Sequence, residues 1–97
     1  MTTVHIALTE PSTQPVPKSI PKDAETVTTS GTDTDVAGIA GQIGDIWVLT
    51  CTGGNVYVAF GDNPTAGVDQ LGYLMLDGET REFAVTIANE ECSVKDA

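Results

Sequence analysis

Four of the chain's five prolines, Pro11, Pro15, Pro17 and Pro21, fall within eleven residues. No helix survives four missing N–H donors at that spacing, and no central strand keeps its ladder through them. The segment therefore reads as extended and polyproline-like, advancing about 3.1 Å per residue. Residues 10–22 then reach roughly 40 Å. A single domain of 97 residues has a radius of gyration of only about 12–13 Å. A segment of that length crosses the body or leaves it for a neighbour.

The residues before the prolines alternate. Val4, Ile6 and Leu8 fall on one face of a strand, and Thr3, His5, Ala7 and Thr9 on the other. An alternating apolar strand followed by a stiff linker is suited to strand addition onto another sheet. The expectation is an extended N-terminal arm over residues 1–24 and a folded body over 25–97. Val4, Ile6, Leu8, Pro11, Pro15, Pro17 and Pro21 are its candidate partner contacts.

Beyond the arm the chain reads as strands and turns. Residues 25–29 make a short polar strand, and 36–44, with Gly38, Gly41 and Gly44, a loop or weak edge strand. Two β-rich runs, 45–52 and 55–60, flank Gly53-Gly54, which predicts a tight hairpin. Further strands are expected at 71–76, 81–87 and 92–95, separated by turns at 61–67, 77–80 and 88–91. No window carries a helical period. By size scaling, such a chain buries about 64% of its unfolded surface, enough for one modest core. The fold class expected is all-β: a small antiparallel β-sandwich, jelly-roll-like, with an extended Pro-rich N-terminal arm.

Charge narrows the function. Four Lys and Arg against fourteen Asp and Glu leave a formal net charge of −10. Nucleic-acid and polybasic membrane binding both need clustered cations. Here Lys18, Lys22, Arg81 and Lys95 are scattered. The longest apolar run, Val56–Phe60, is far short of a membrane span.

No catalytic, metal or cofactor site is expected. His5 is the only histidine, so neither a zinc site nor a Ser-His-Asp triad can be assembled around a second one. Asp33, Asp35, Asp62, Asp69, Asp77 and Glu79 sit on expected turns, where acidic side chains serve turn geometry. They lack the calcium-loop pattern. Cys51 and Cys92 read as two reduced thiols that pair only if their strands are neighbours.

The stretch from Gly44 to Phe83 resembles small β-rich virion proteins of tailed bacteriophages. The residues that carry the resemblance are Gly44-Asp45-Ile46-Trp47-Val48-Leu49, the string Asn55-Val56-Tyr57-Val58-Ala59-Phe60-Gly61-Asp62-Asn63-Pro64-Thr65-Ala66, then Leu76-Asp77-Gly78 and Phe83. Cys51, Cys92 and the Pro-rich arm lie outside that pattern. The resemblance implies a head decoration (cement) protein on the capsid surface, made in the host bacterial cytoplasm and bridging subunits of the major capsid protein. It further implies a homo-oligomer, trimer or dimer, no catalysis, and a second contact at Asp62, Asn63, Pro64 and Thr65. Within the same class, a head–tail connector or a tail- or fibre-associated protein is the alternative. From another class, a carbohydrate-binding β-sandwich module would need an exposed aromatic, with Trp47 or Tyr73 as candidates.

Overall fold

A computed structural model describes residues 2–10, 21–32, 34–67 and 72–97. These residues form eight strands: β1 (Thr3–Thr9), β2 (Asp23–Thr28), β3 (Thr34–Gly41), β4 (Ile46–Thr52), β5 (Val56–Gly61), β6 (Gly72–Met75), β7 (Thr80–Ala84) and β8 (Glu90–Asp96). They make two antiparallel four-stranded sheets, ordered β2-β1-β4-β7 and β3-β8-β5-β6. The fold is an all-β sandwich.

The strand order is that of a jelly roll. Lettered B to I along the chain, a jelly roll has sheets B-I-D-G and C-H-E-F. Taking β2 as B and running to β8 as H, with β1 as I, reproduces both sheets. The strand that closes a jelly roll here comes first in the chain. This permutation requires the start of β1 to lie beside the end of β8, and it does. The Thr29 N–H and hydroxyl both donate to the Thr2 carbonyl, and the hydroxyl also contacts the Asp96 carboxylate.

The inward faces are set by alternation. Val4, Ile6 and Leu8 of β1 and Trp47, Leu49 and Cys51 of β4 meet Val56, Val58, Met75, Cys92 and Val94 of the other sheet. At about 1.5–3 kcal/mol per fully buried large side chain, this layer is the main favourable term in folding.

Two expectations are corrected. First, Val4, Ile6 and Leu8 do not belong to an arm. They are 0%, 0% and 2% exposed, and β1 pairs with β2 on one side and β4 on the other. Both edges of β1 and its apolar face are used within the body, so the boundary at residue 24 does not hold. Of the Pro-rich stretch, Pro21 is described and exposed; Pro11, Pro15 and Pro17 lie outside the described residues. Second, Gly53-Gly54 is not a hairpin. β4 and β5 lie in different sheets, so the turn carries the chain across the sandwich. Gly53 takes φ of 91°, and a Cβ on Gly54 would lie 2.5 Å from the Thr2 Oγ1. The glycines serve a crowded corner, where the left-handed conformation and close approach both favour them. Segment 34–41 takes the edge-strand alternative, with a register shift between Val36 and Gly41.

Candidate functional site

The four edge strands fall into two pairs. β2 and β3 bound one flank, and β6 and β7 the other. The β2 side chains are nearly all exposed and polar. The β6–β7 flank is different in kind, because the inner faces of both strands continue past the sealed core there.

On β7, Phe83 stands opposite Trp47 and Arg81 opposite Leu49, so both point between the sheets. On β6, Tyr73 stands opposite Val58, and points inward too. Phe60 at the end of β5 completes the row. The rings run in sequence: Trp47 to Phe60 at 5.7 Å between centroids, Phe60 to Phe83 at 4.8 Å, and Phe83 to Tyr73 at 5.2 Å, all tilted. These are favourable aromatic separations. The row starts in the core, where Trp47 is fully buried, and ends at the surface, where Tyr73 is 51% exposed. The cleft it lines has a volume of about 460 Å³.

Charged groups frame the rings. The Arg81 guanidinium lies 5.1 Å from the Tyr73 ring centre and 5.2 Å from that of Phe83, within cation–π range. Its Nε is 4.0 Å from Glu79 Oε2, too far for a hydrogen bond. Thr86 and Glu90 also line the cleft, whereas Glu82, opposite Val48, has the outer-face parity. Glu90 is 3% exposed, but its oxygens are occupied. Oε1 accepts from Trp47 Nε1 at 2.8 Å, and Oε2 accepts from the Thr86 N–H and hydroxyl at 3.3 and 3.1 Å. Glu90 of β8 thereby ties the two sheets through Trp47 of β4, and fixes the cleft floor.

A second feature lies on the outer face of the β3-β8-β5-β6 sheet. Tyr57 stands between Leu74 of β6 and Lys95 of β8. Leu74 and Leu76 are 45% and 54% exposed. Farther along the same face the sheet is covered. Ala59 and Ser93 pair across it and are 3% and 0% exposed. The loop after β5 lies on them, with the Ala66 N–H donating to Ser93 Oγ at 3.2 Å.

That covering corrects part of the loop expectation. Pro64 is buried, so it packs within the body, while Asp62, Asn63 and Thr65 are exposed. Trp47, fully buried, is not an exposed aromatic, whereas Tyr73 is one. His5 is exposed and shares a hydrogen bond with Thr26 at 3.1 Å. Asp77 and Glu79 accept from the backbone N–H groups of Gly53 and Leu76, which is turn chemistry. Asp33 and Asp69 lie outside the described residues.

Among the described residues, Cys51, Asp45 and Lys22 are displaced from their ordinary values. Burial pushes the Cys51 thiol up, and the negative charges of Asp77, Glu79 and Asp96 add to it. Its Sγ–H donates to the Gly54 carbonyl at 2.9 Å, and both cysteines are buried and unpaired with each other. Burial also acts to raise the Asp45 carboxyl. The Lys22 hydrogen bond, the Gln42 N–H and the Lys22 charge outweigh it and hold the group below the ordinary carboxylate value. The same 2.8 Å contact raises the Lys22 amine, against a smaller opposing effect of desolvation.

Arg81 and Phe83 are cleft-lining side chains that sequence reasoning did not single out. Their signal was present: Arg81, Phe83 and Val85 share one parity on an alternating run. An arginine at an inward parity marks a strand at which the core opens. Compared with protein-family models, curated proteins and solved structures, the chain finds no match.

Proposed function

We propose that this chain is a non-catalytic structural protein of a tailed-phage virion, most specifically a head decoration protein that docks on the major capsid protein. The observation that carries the reading is the outer-face apolar patch of Tyr57, Leu74 and Leu76 at β6, the edge strand of its sheet among the described residues. Isolated exposed apolar residues are ordinary. Here they gather at one margin of a body whose charge is −10. High charge of one sign keeps free copies apart before assembly. An apolar margin at an edge strand is a surface that a coat subunit can cover.

The resemblance of the segment from Gly44 to Phe83 supplies the partner class. The fold adds to it: a sandwich needs no cofactor to bridge subunits, and its contribution is buried area across a joint. The exposed loop residues Asp62, Asn63 and Thr65 extend from the same sheet and are a candidate second contact.

The test is co-sedimentation of purified protein with undecorated heads. Leu74→Asp with Leu76→Asp should abolish binding while leaving the circular dichroism spectrum unchanged, since both side chains are exposed. A stoichiometry near that of the coat protein identifies decoration. A few copies per particle identify a connector or tail protein instead. Undiminished binding by the double variant would refute docking through this patch.

A further inference from the structure

The β6–β7 cleft lies between the sheets, apart from the outer-face patch, and has its own chemistry. Two properties set it apart from a merely unfinished core edge. First, its rings form a continuous platform, with Phe83 between Phe60 and Tyr73. Second, an inward position on β7 holds Arg81, the chain's one arginine. An apolar side chain there would close the sandwich without desolvating a charge. Arg81 instead lies over the platform, its guanidinium braced by two rings and its nearest carboxylate beyond hydrogen-bond range. A guanidinium presents five donors in a rigid fork.

We propose that this cleft is a saccharide-binding site, with Tyr73 and Phe83 as the stacking surface and Arg81 as donor. A pyranose has an apolar C–H face and a rim of hydroxyls that both donate and accept. The cleft offers aromatic faces to the first and the guanidinium donors beside them to the second. Its volume of about 460 Å³ falls in the usual range for small-molecule sites. An apolar side chain from a protein partner would cover Arg81 without meeting its hydrogen-bonding capacity, which costs free energy. The net charge of −10 acts against acidic sugars, so the preferred ligand is neutral.

The experiment is a glycan array bearing neutral mono- and disaccharides of glucose, galactose, mannose and N-acetylglucosamine, with sialylated glycans as the acidic set. Hits are then titrated by saturation-transfer NMR. The expected result is binding to a neutral glycan, weakened at least about tenfold by Tyr73→Ala and by Arg81→Gln. Arg81 is partly exposed and its contact with Glu79 is a loose 4.0 Å, so its amide variant keeps the fold intact; buried Trp47 fluorescence reports this for both variants. Leu74→Asp should leave glycan binding unchanged, which separates this site from the docking patch. Absence of neutral-glycan binding, binding insensitive to both cleft variants, or preference for the acidic set would overturn the proposal. So would a concentration-dependent dimer, in sedimentation, that Tyr73→Ala dissolves; the cleft would then be an interface between copies.

Discussion

Replacing Ile6 by Ala separates a core strand from an arm. Ile6 is fully buried, with Leu49 opposite it on β4 and Glu25 on β2. Truncating a buried Ile to Ala costs about 2–5 kcal/mol through lost transfer free energy and the cavity left behind. With both neighbouring strands holding the backbone in place, collapse around the site is limited, and about 3 kcal/mol is expected. A domain of this size has about 5–15 kcal/mol in all, so the variant still folds. At about 4–8 °C per kcal/mol, its midpoint falls by about 12–24 °C. His5→Ala, one residue away on the solvated face, should stay within about 0.5 kcal/mol. Urea titration followed by far-ultraviolet circular dichroism and Trp47 fluorescence measures both. Equal midpoints for the Ile6→Ala and His5→Ala proteins would refute the placement of β1 in the core. Deleting residues 1–9 should abolish folding, because Val4, Ile6 and Leu8 together contribute about 4.5–9 kcal/mol of burial.

The Asp45 carboxyl is held below its unfolded value, so its stabilising effect is complete above the ordinary carboxylate range and is lost as pH falls through the folded value. Urea midpoints from pH 7 to 2 should therefore fall less steeply for Asp45→Asn than for the parent, from a lower starting point. Glu90→Ala leaves the buried Trp47 N–H without its acceptor and should cost about 1–3 kcal/mol, whereas Glu90→Gln, which keeps a carbonyl oxygen there, should recover part of it; thermal melts decide. Cys51 and Cys92 are buried, so an aromatic disulfide reagent should label them at the rate of unfolding and at once in urea; fast native labelling would place a thiol at the surface. Joining Ala97 to Thr2 by a short Gly-Ser linker and opening the chain between Lys18 and Ser19 should give a folded protein with the parent's dichroism spectrum. A molten product would contradict the adjacency that Thr29 establishes between Thr2 and Asp96.

The strands were legible because alternation survives in single residues: Val4-His5-Ile6-Ala7-Leu8 and Trp47-Val48-Leu49-Thr50-Cys51 each have one apolar parity. What alternation does not carry is the identity of the neighbour. Two runs that each have one apolar face can pair edge to edge, or face each other across a core, with the same pattern. β4 and β5 take the second arrangement, and Gly53-Gly54 suits the corner as well as it would a hairpin. Pro64 reads as a loop residue and is one, yet the loop lies down on Ala59 and Ser93, which only the outer face of the second sheet reveals. The cleft was hidden for a related reason. Tyr73 and Phe83 are ten residues apart on different sheets, and only the opening between two edge strands brings their rings to 5.2 Å.

The permuted order explains why the first residues look like an arm. In a jelly roll the closing strand lies between two others, and here that strand is followed by thirteen residues, 10–22, before its neighbour β2 begins. Proline-rich sequence after an apolar strand suggests departure, but the Lys22 N–H returns to the Leu8 carbonyl at 2.6 Å, and the Lys22 amine is held by Asp45. The connection is pinned at both ends. Closing thirteen residues rather than a two-residue turn costs only about 1.7 kcal/mol. Prolines narrow the unfolded ensemble and work against that cost. Thirteen residues between paired strands are thus cheap for the fold. A partner contact made by residues 11–20 would therefore be tethered to the body on both sides, by β1 and by Lys22.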